Sequence, residues 1–199
     1  MKPFAVTWDY RCPFARNAHE HLVEGLAEGA DWDVTFLPFT LSQGHVPEGG
    51  TPVWDDPAKF GELVALAAGV AVRDQYPAQF GVVHDALFRA RHDEGLDIRD
   101  AGVVAAILDA HGVPGDKVLD EVEGGAPLDE IRRAHTQAVE EWSIFGVPTF
   151  VVEGRAVFVR LMSRPEGDAA LARRTIEGIV NLMSERPDLN EFKYTTLDR

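Results

Sequence analysis

One cysteine occurs in the chain, Cys12, within the segment Asp9-Tyr10-Arg11-Cys12-Pro13-Phe14-Ala15-Arg16. Proline is favoured at the first position of a helix, where its missing N–H is not needed. Pro13 therefore places Cys12 at an N-cap, its sulfur facing unpaired backbone N–H groups and the positive end of the helix dipole. A thiol held there is expected to ionise below its ordinary value of about 8.5, and the thiolate is the nucleophilic form. Arg11 and Arg16 are close enough in sequence to add to that effect. With a single cysteine, an internal disulfide framework is excluded. A mixed disulfide at Cys12 likewise has no second thiol in the chain to resolve it.

Other groups that could do chemistry are weaker candidates. His19 and His21 lie two apart, so on a helix they point to different sides and cannot chelate one ion; a solvated face is expected for both. His84 and His92 are two turns apart on one helix, and no His-Glu-x-x-His or Cys/His cluster occurs, so no metal is expected. The chain has no Gly-x-Ser-x-Gly elbow and no Gly-x-Gly-x-x-Gly after a strand, which argues against a serine hydrolase and a nicotinamide or flavin site. Trp8 and Trp54 are candidate walls for an organic substrate, with core packing as the alternative. Phe60, Phe80, Phe88 and Phe145 read as core residues.

The elements that must position Cys12 follow from periodicity. Residues Phe4 to Asp9 are apolar and aromatic and read as a buried strand. Phe14, Ala18, Leu22 and Leu26 then recur every fourth residue, marking a helix over 13–26. Trp32 to Phe39 alternates as a second strand, which gives a βαβ unit. The stretch 42–57, with Gly44, Pro47, Gly49, Gly50 and Pro52, is a loop; it lacks the Gly-Lys-Ser/Thr ending of a phosphate-binding loop. From 58 to 142 the pattern is helical, with segments near 60–72, 77–92, 101–111 and 128–142 and an N-cap within Asp97–Asp100. Two short β-rich runs at 149–152 and 156–159 form a hairpin. A last helix over about 166–185 presents Leu171, Ile176, Ile179, Val180 and Met183 as its apolar side.

Hydrophobic residues make up 45% and charged residues 26% of the 199, ordinary proportions for a globular protein with a sizeable core. The formal net charge of −14 argues against nucleic acid and anionic membrane surfaces as partners. No apolar run reaches the ~18 residues of a transmembrane helix, and no signal-peptide pattern precedes Cys12. With only one cysteine present, the expected compartment is the reducing cytoplasm.

The strand, Asp9-x-x-Cys12-Pro13-Phe14 and helix are similar to the active-site start of DsbA-family thioredoxin-like proteins. These include FrnE-type oxidoreductases, 2-hydroxychromene-2-carboxylate isomerases, kappa-class glutathione transferases and mycothiol-dependent reductases. The resemblance continues, in family order, through Leu37-Pro38-Phe39-Thr40-Leu41, His84-Asp85-Ala86-Leu87-Phe88-Arg89-Ala90, Gly95-Leu96-Asp97-Ile98 and Gly146-Val147-Pro148-Thr149-Phe150. It implies an α/β thioredoxin fold carrying a large all-helical insertion. Residues 1–56 and 143–199 would form the thioredoxin-like unit and 57–142 the insertion. It also implies that Pro148 follows a cis bond, that Val147 and Pro148 bind the thiol compound, and that a homodimer is a common state.

Two departures qualify what the family implies. Dithiol members carry Cys-Pro-x-Cys, whereas the fourth position here is Ala15. The isomerases and kappa transferases use serine at the motif's start and a Gly-x-Asp-Arg-like segment to hold glutathione. Here Val159-Arg160-Leu161-Met162-Ser163-Arg164-Pro165 keeps arginine alone. The ending Pro187 to Tyr194 is similar to the tails of mycothiol-dependent members. The expected activity is monothiol, DsbA-like oxidoreduction at Cys12 with mycothiol or glutathione. Arg11, Pro13, Phe14 and Ala15 would shape the site, and Val147, Pro148 and Trp54 would bind thiol or substrate. A thiol-dependent isomerase or transferase, and a redox-inactive binding module, remain open alternatives at this point.

Overall fold

The computed structural model describes residues 1–191, 193 and 194. Phe192, part of the tail motif, lies outside the described residues. Strand β1 (Phe4–Trp8), helix α1 (Pro13–Ala27) and strand β2 (Val34–Pro38) form the βαβ unit, with β1 and β2 parallel. Strands β3 (Thr149–Val152) and β4 (Arg155–Phe158) add antiparallel beyond β1, so the sheet order is β2-β1-β3-β4. Helix α7 (Ala169–Glu185) completes this thioredoxin fold by packing on α1.

Between β2 and β3 the chain makes five helices: α2 (Phe60–Gln75), α3 (Pro77–His92), α4 (Ala101–Ala110), α5 (Gly115–Glu123) and α6 (Ala126–Trp142). Helix α4 starts at an Asp100 N-cap, whose Oδ1 accepts from the Gly102 and Val103 amides at 2.7 and 3.4 Å. Among the described residues no helix is long and apolar enough to cross a membrane.

Several expectations are corrected. Helix α5 has no counterpart in the periodicity reading, because only Val118, Leu119 and Val122 are apolar in a short acidic segment. Helix α7 begins at Ala169 with Asp168 as its cap, since Glu166 and Gly167 have left-handed φ of 52° and 84°. Its inward face uses Ala172, while Leu171 is exposed. His19 and His21 are buried, because α1 is covered by α3 as well as by the sheet and α7. Trp8 is fully buried against Tyr10, His19, Phe80 and His84, so it is core and walls no pocket. Phe145 is 77% exposed and is not a core residue.

Candidate active site

The turn from β1 into α1 is held by groups on three elements. Asp9 is buried; its Oδ1 accepts the Arg11 amide at 2.9 Å and its Oδ2 accepts the Leu41 amide at 2.8 Å. One carboxylate thus ties this turn to the chain leaving β2. The Tyr10 carbonyl accepts from His92 Nε2 at 2.9 Å, and its ring lies across α2 at Gly69. A Cβ at residue 69 would fall within 2.4 Å of the Tyr10 hydroxyl, so glycine permits the close approach.

Cys12 is the N-cap of α1, with extended φ and ψ of −96° and 118°. Its Sγ accepts the Ala15 amide at 3.4 Å, within the reach of a sulfur acceptor, and its thiol donates to the Val147 carbonyl at 3.3 Å. The Val147–Pro148 bond is cis. Thr149 fixes that loop to the sheet: its amide donates to Thr7 Oγ1 at 2.9 Å and its hydroxyl to the Gly146 carbonyl at 2.7 Å. The sulfur therefore lies between the start of α1 and the residue preceding the cis proline.

Behind the turn runs a buried hydrogen-bond chain for which no spacing signal exists in the sequence. His19 Nε2 meets the Thr7 carbonyl at 3.1 Å, His84 Nε2 meets His19 Nδ1 at 2.9 Å, and the Tyr10 hydroxyl meets His84 Nδ1 at 2.8 Å. A carbonyl can only accept, so a neutral His19 must carry its proton on Nε2. Its Nδ1 then accepts from His84 Nε2–H, and His84 Nδ1 accepts from the Tyr10 hydroxyl. Burial enforces this state: it pushes His19 down to about 4 and His84 well below its ordinary value, and keeps the Tyr10 phenol protonated.

The expected depression of the Cys12 thiol is not found. Burial pushes it up from its ordinary value; the Ala15 and Phe14 amides pull the other way but do not prevail, and the Asp9 carboxylate adds to the rise. The neighbouring arginines do not help, because carboxylates claim them. Arg11 pairs with Glu62 at 3.2 Å and with Asp9 at 3.5 Å, while Arg16 pairs with Asp93 and Glu20. The resting sulfur is thus a thiol donating to Val147. Its alkylation by iodoacetamide is expected to keep accelerating above about pH 8.5, the ordinary thiol midpoint. A rate that levels off near neutral pH would contradict this assignment.

The remaining candidate residues divide. Pro13 is exposed at the first helical position, Phe14 is half-buried, and Ala15 is fully buried beneath the sulfur. Val147 and Pro148 are buried beside it. Arg11 turns toward Glu62 and Asp9. Trp54 stands apart: its ring meets His135 edge-on at 5.5 Å, and His135 stacks on Phe39 at 4.1 Å. Among the described residues no hydrogen bond or ring contact joins Trp54 to Cys12.

A profile of the DSBA-like thioredoxin domain matches residues 6–163. The chain belongs to the DsbA-like thioredoxin family. No curated protein matches it. Among solved structures it is similar to a 2-hydroxychromene-2-carboxylate isomerase, with 16% identity and a TM-score of 0.62 over 94% of this chain and 99% of that one. It is also similar to the cytosolic disulfide reductase DsbM of Pseudomonas aeruginosa with GSH, with 17% identity and a TM-score of 0.63 over 90% and 100% of the two chains. A third likeness is to Pseudomonas aeruginosa DsbA, with 22% identity and a TM-score of 0.56 over 92% and 85%. At these identities the solved structures establish the shared DsbA-like fold.

Proposed function

We propose that this member of the DsbA-like family is a monothiol oxidoreductase in which Cys12 exchanges disulfides with a low-molecular-weight thiol. The observation that carries the reading is the placement of Cys12 Sγ, 3.4 Å from the Ala15 amide and 3.3 Å from the carbonyl preceding cis Pro148. In the first step Sγ loses its proton and attacks the sulfur of a disulfide R–S–S–R′. The Cys12–S–S–R bond forms, the S–S bond breaks, and R′S⁻ takes up a proton. A second molecule of R–SH then attacks the Cys12 mixed disulfide, releasing R–S–S–R and restoring the thiol. The net reaction is R–S–S–R′ + R–SH → R–S–S–R + R′–SH.

The local geometry supports both half-reactions. Ala15 contributes no second thiol, so the external thiol must do the resolving. Once Cys12 is in a mixed disulfide, its hydrogen no longer occupies the Val147 carbonyl, and that acceptor becomes available to the bound thiol compound. Likeness to the reductase solved with GSH supports glutathione as one candidate thiol, with mycothiol as the other. A reducing cytoplasm would keep Cys12 as the thiol and supply the resolving partner. The test is turnover of a small mixed disulfide with either thiol as reductant. Release of R′–SH above the uncatalysed rate is expected, and its absence with both thiols would overturn the reading.

The raised thiol favours one second reading. A protonated Cys12 can donate a hydrogen bond to a bound thiol without attacking, as a thiol-dependent isomerase or transferase would require. That activity would survive Cys12→Ser, whereas exchange cannot.

A further inference from the structure

The surface around the Cys12 turn is aromatic and carries a cation that no carboxylate among the described residues takes up. Phe145 is 77% exposed, two residues before Val147, and its ring lies 5.2 Å from Phe158 at the end of β4. The Val159 amide donates to the Pro148 carbonyl at 3.1 Å, which fixes that end of β4 to the cis-proline loop. On the other flank Phe14 follows the cysteine by two residues, and the Arg160 guanidinium lies over its ring, 5.1 Å from the centroid. Two aromatic groups and one cation therefore flank the helix start and the loop that hold the sulfur.

The chemistry of this rim is selective. An exposed aromatic pair offers a face on which a flat ring can stack. A guanidinium lying on one ring still presents N–H groups at its edge, in the planar fork that suits a carboxylate. Arg164, in the same segment, is taken up by Glu20 and Asp93, but Arg160 forms no ion pair with any described residue. A cation over the Phe14 ring, unpaired among the described residues, is notable in a chain of net charge −14, whose overall field repels anions. Local attraction at the rim is what an anionic substrate would need.

Building on the exchange reading, we infer that Phe14, Phe145, Phe158 and Arg160 select disulfides and thiols that carry an anionic aromatic group. The aromatic half stacks on the Phe145–Phe158 pair while its carboxylate meets Arg160, which leaves the sulfur over Cys12. The covalent step is Cys12–SH + ArS–SAr → Cys12–S–SAr + ArS⁻ + H⁺, with one S–S bond formed and one broken.

The test uses three reagents on the full chain: the dianionic aromatic 5,5′-dithiobis(2-nitrobenzoate), the uncharged aromatic 2,2′-dithiodipyridine and the cationic aliphatic cystamine. Each rate constant is divided by that of N-acetylcysteine with the same reagent. The ratio of the dianionic to the uncharged aromatic reagent is expected to fall about five-fold in Arg160→Gln, the scale of one exposed charge pair. It is expected to stay unchanged in Arg174→Gln, which removes the same charge from an exposed site on α7. Phe145→Ala is expected to slow both aromatic reagents about five-fold relative to cystamine. Equal ratios in wild type, Arg160→Gln and Arg174→Gln would overturn the charge selection. An unaltered aromatic preference in Phe145→Ala would overturn the stacking. No reaction at Cys12 with any of the three reagents would instead overturn the exchange reading beneath them.

Discussion

Cys12→Ser is expected to lower mixed-disulfide turnover by at least about three orders of magnitude, since removing a covalent nucleophile leaves only binding effects. A serine oxygen cannot form the mixed disulfide through which both half-reactions pass. The loss should not come from unfolding. Serine is among the preferred N-caps, and its hydroxyl can accept the Ala15 amide that the sulfur accepts now. Denaturant midpoints of the two proteins should therefore agree to within about 1 kcal/mol of stability. The comparison separates the two enzymatic readings. Mixed-disulfide turnover retained in the folded serine variant would exclude the covalent exchange cycle at Cys12.

The second large effect is on stability in acid. His19, with an ordinary value of 6.5, is pushed down to about 4, as is His135; burial is the leading cause for both, and His84 lies well below its ordinary value for the same reason. In the unfolded chain these rings take up protons near pH 6.5, whereas in the folded chain His19 and His135 refuse them until near pH 4 and His84 resists protonation in the same direction. Between those values the unfolded state binds more protons, so stability rises with pH. The contribution is complete above about pH 6.5 and lost as pH falls toward about 4. For His19 alone the shift corresponds to about 3 kcal/mol, a large part of a typical total of about 5–15. Glu20 and Asp85, both raised chiefly by burial, oppose this trend at the low end of the window. Urea midpoints should fall steeply from pH 7.5 to pH 5. His84→Gln should be less stable at pH 7.5 and show a shallower slope. A flat wild-type profile would contradict the neutral, mutually bonded assignment of the two histidines.

The parts of the molecule written in local patterns are legible in the sequence. The β1 strand, the Cys12-Pro13 helix start, a cap within Asp97–Asp100 and a hairpin of 149–152 with 156–159 each depend on neighbouring residues; the structure contains them, with the cap at Asp100 and β4 one residue earlier. What escaped depends on residues far apart in sequence. The thiol's upward shift follows from the burial of Sγ, with Asp9 adding to it, while Arg11 and Arg16 are held by Glu62 on α2 and Asp93 after α3. The Tyr10–His84–His19 chain joins residues up to 74 positions apart, and no spacing rule reaches that far. His19 was read as solvated because a single apolar stripe suggests one buried face, yet α1 is enclosed on several sides.

Aromatic residues were the least legible. Phe145 has no periodic context between α6 and β3, so hydrophobicity alone assigned it to the interior. It is instead exposed, two residues before Val147. Trp54, in its glycine-rich loop, packs edge-on against His135 of α6. Tertiary placement of this kind is what composition cannot convey.

For exchange to occur, the sulfur of Cys12 must be reachable by a small disulfide beside the Val147–Pro148 loop. Intact-mass spectrometry after incubation with oxidised glutathione, and separately with oxidised mycothiol, tests this most directly. One thiol adduct per chain is predicted with at least one of them, mapped to Cys12, reversed by the reduced thiol and missing from Cys12→Ser. A folded protein that acquires no adduct from either, even at a pH above the thiol's raised midpoint, would contradict it.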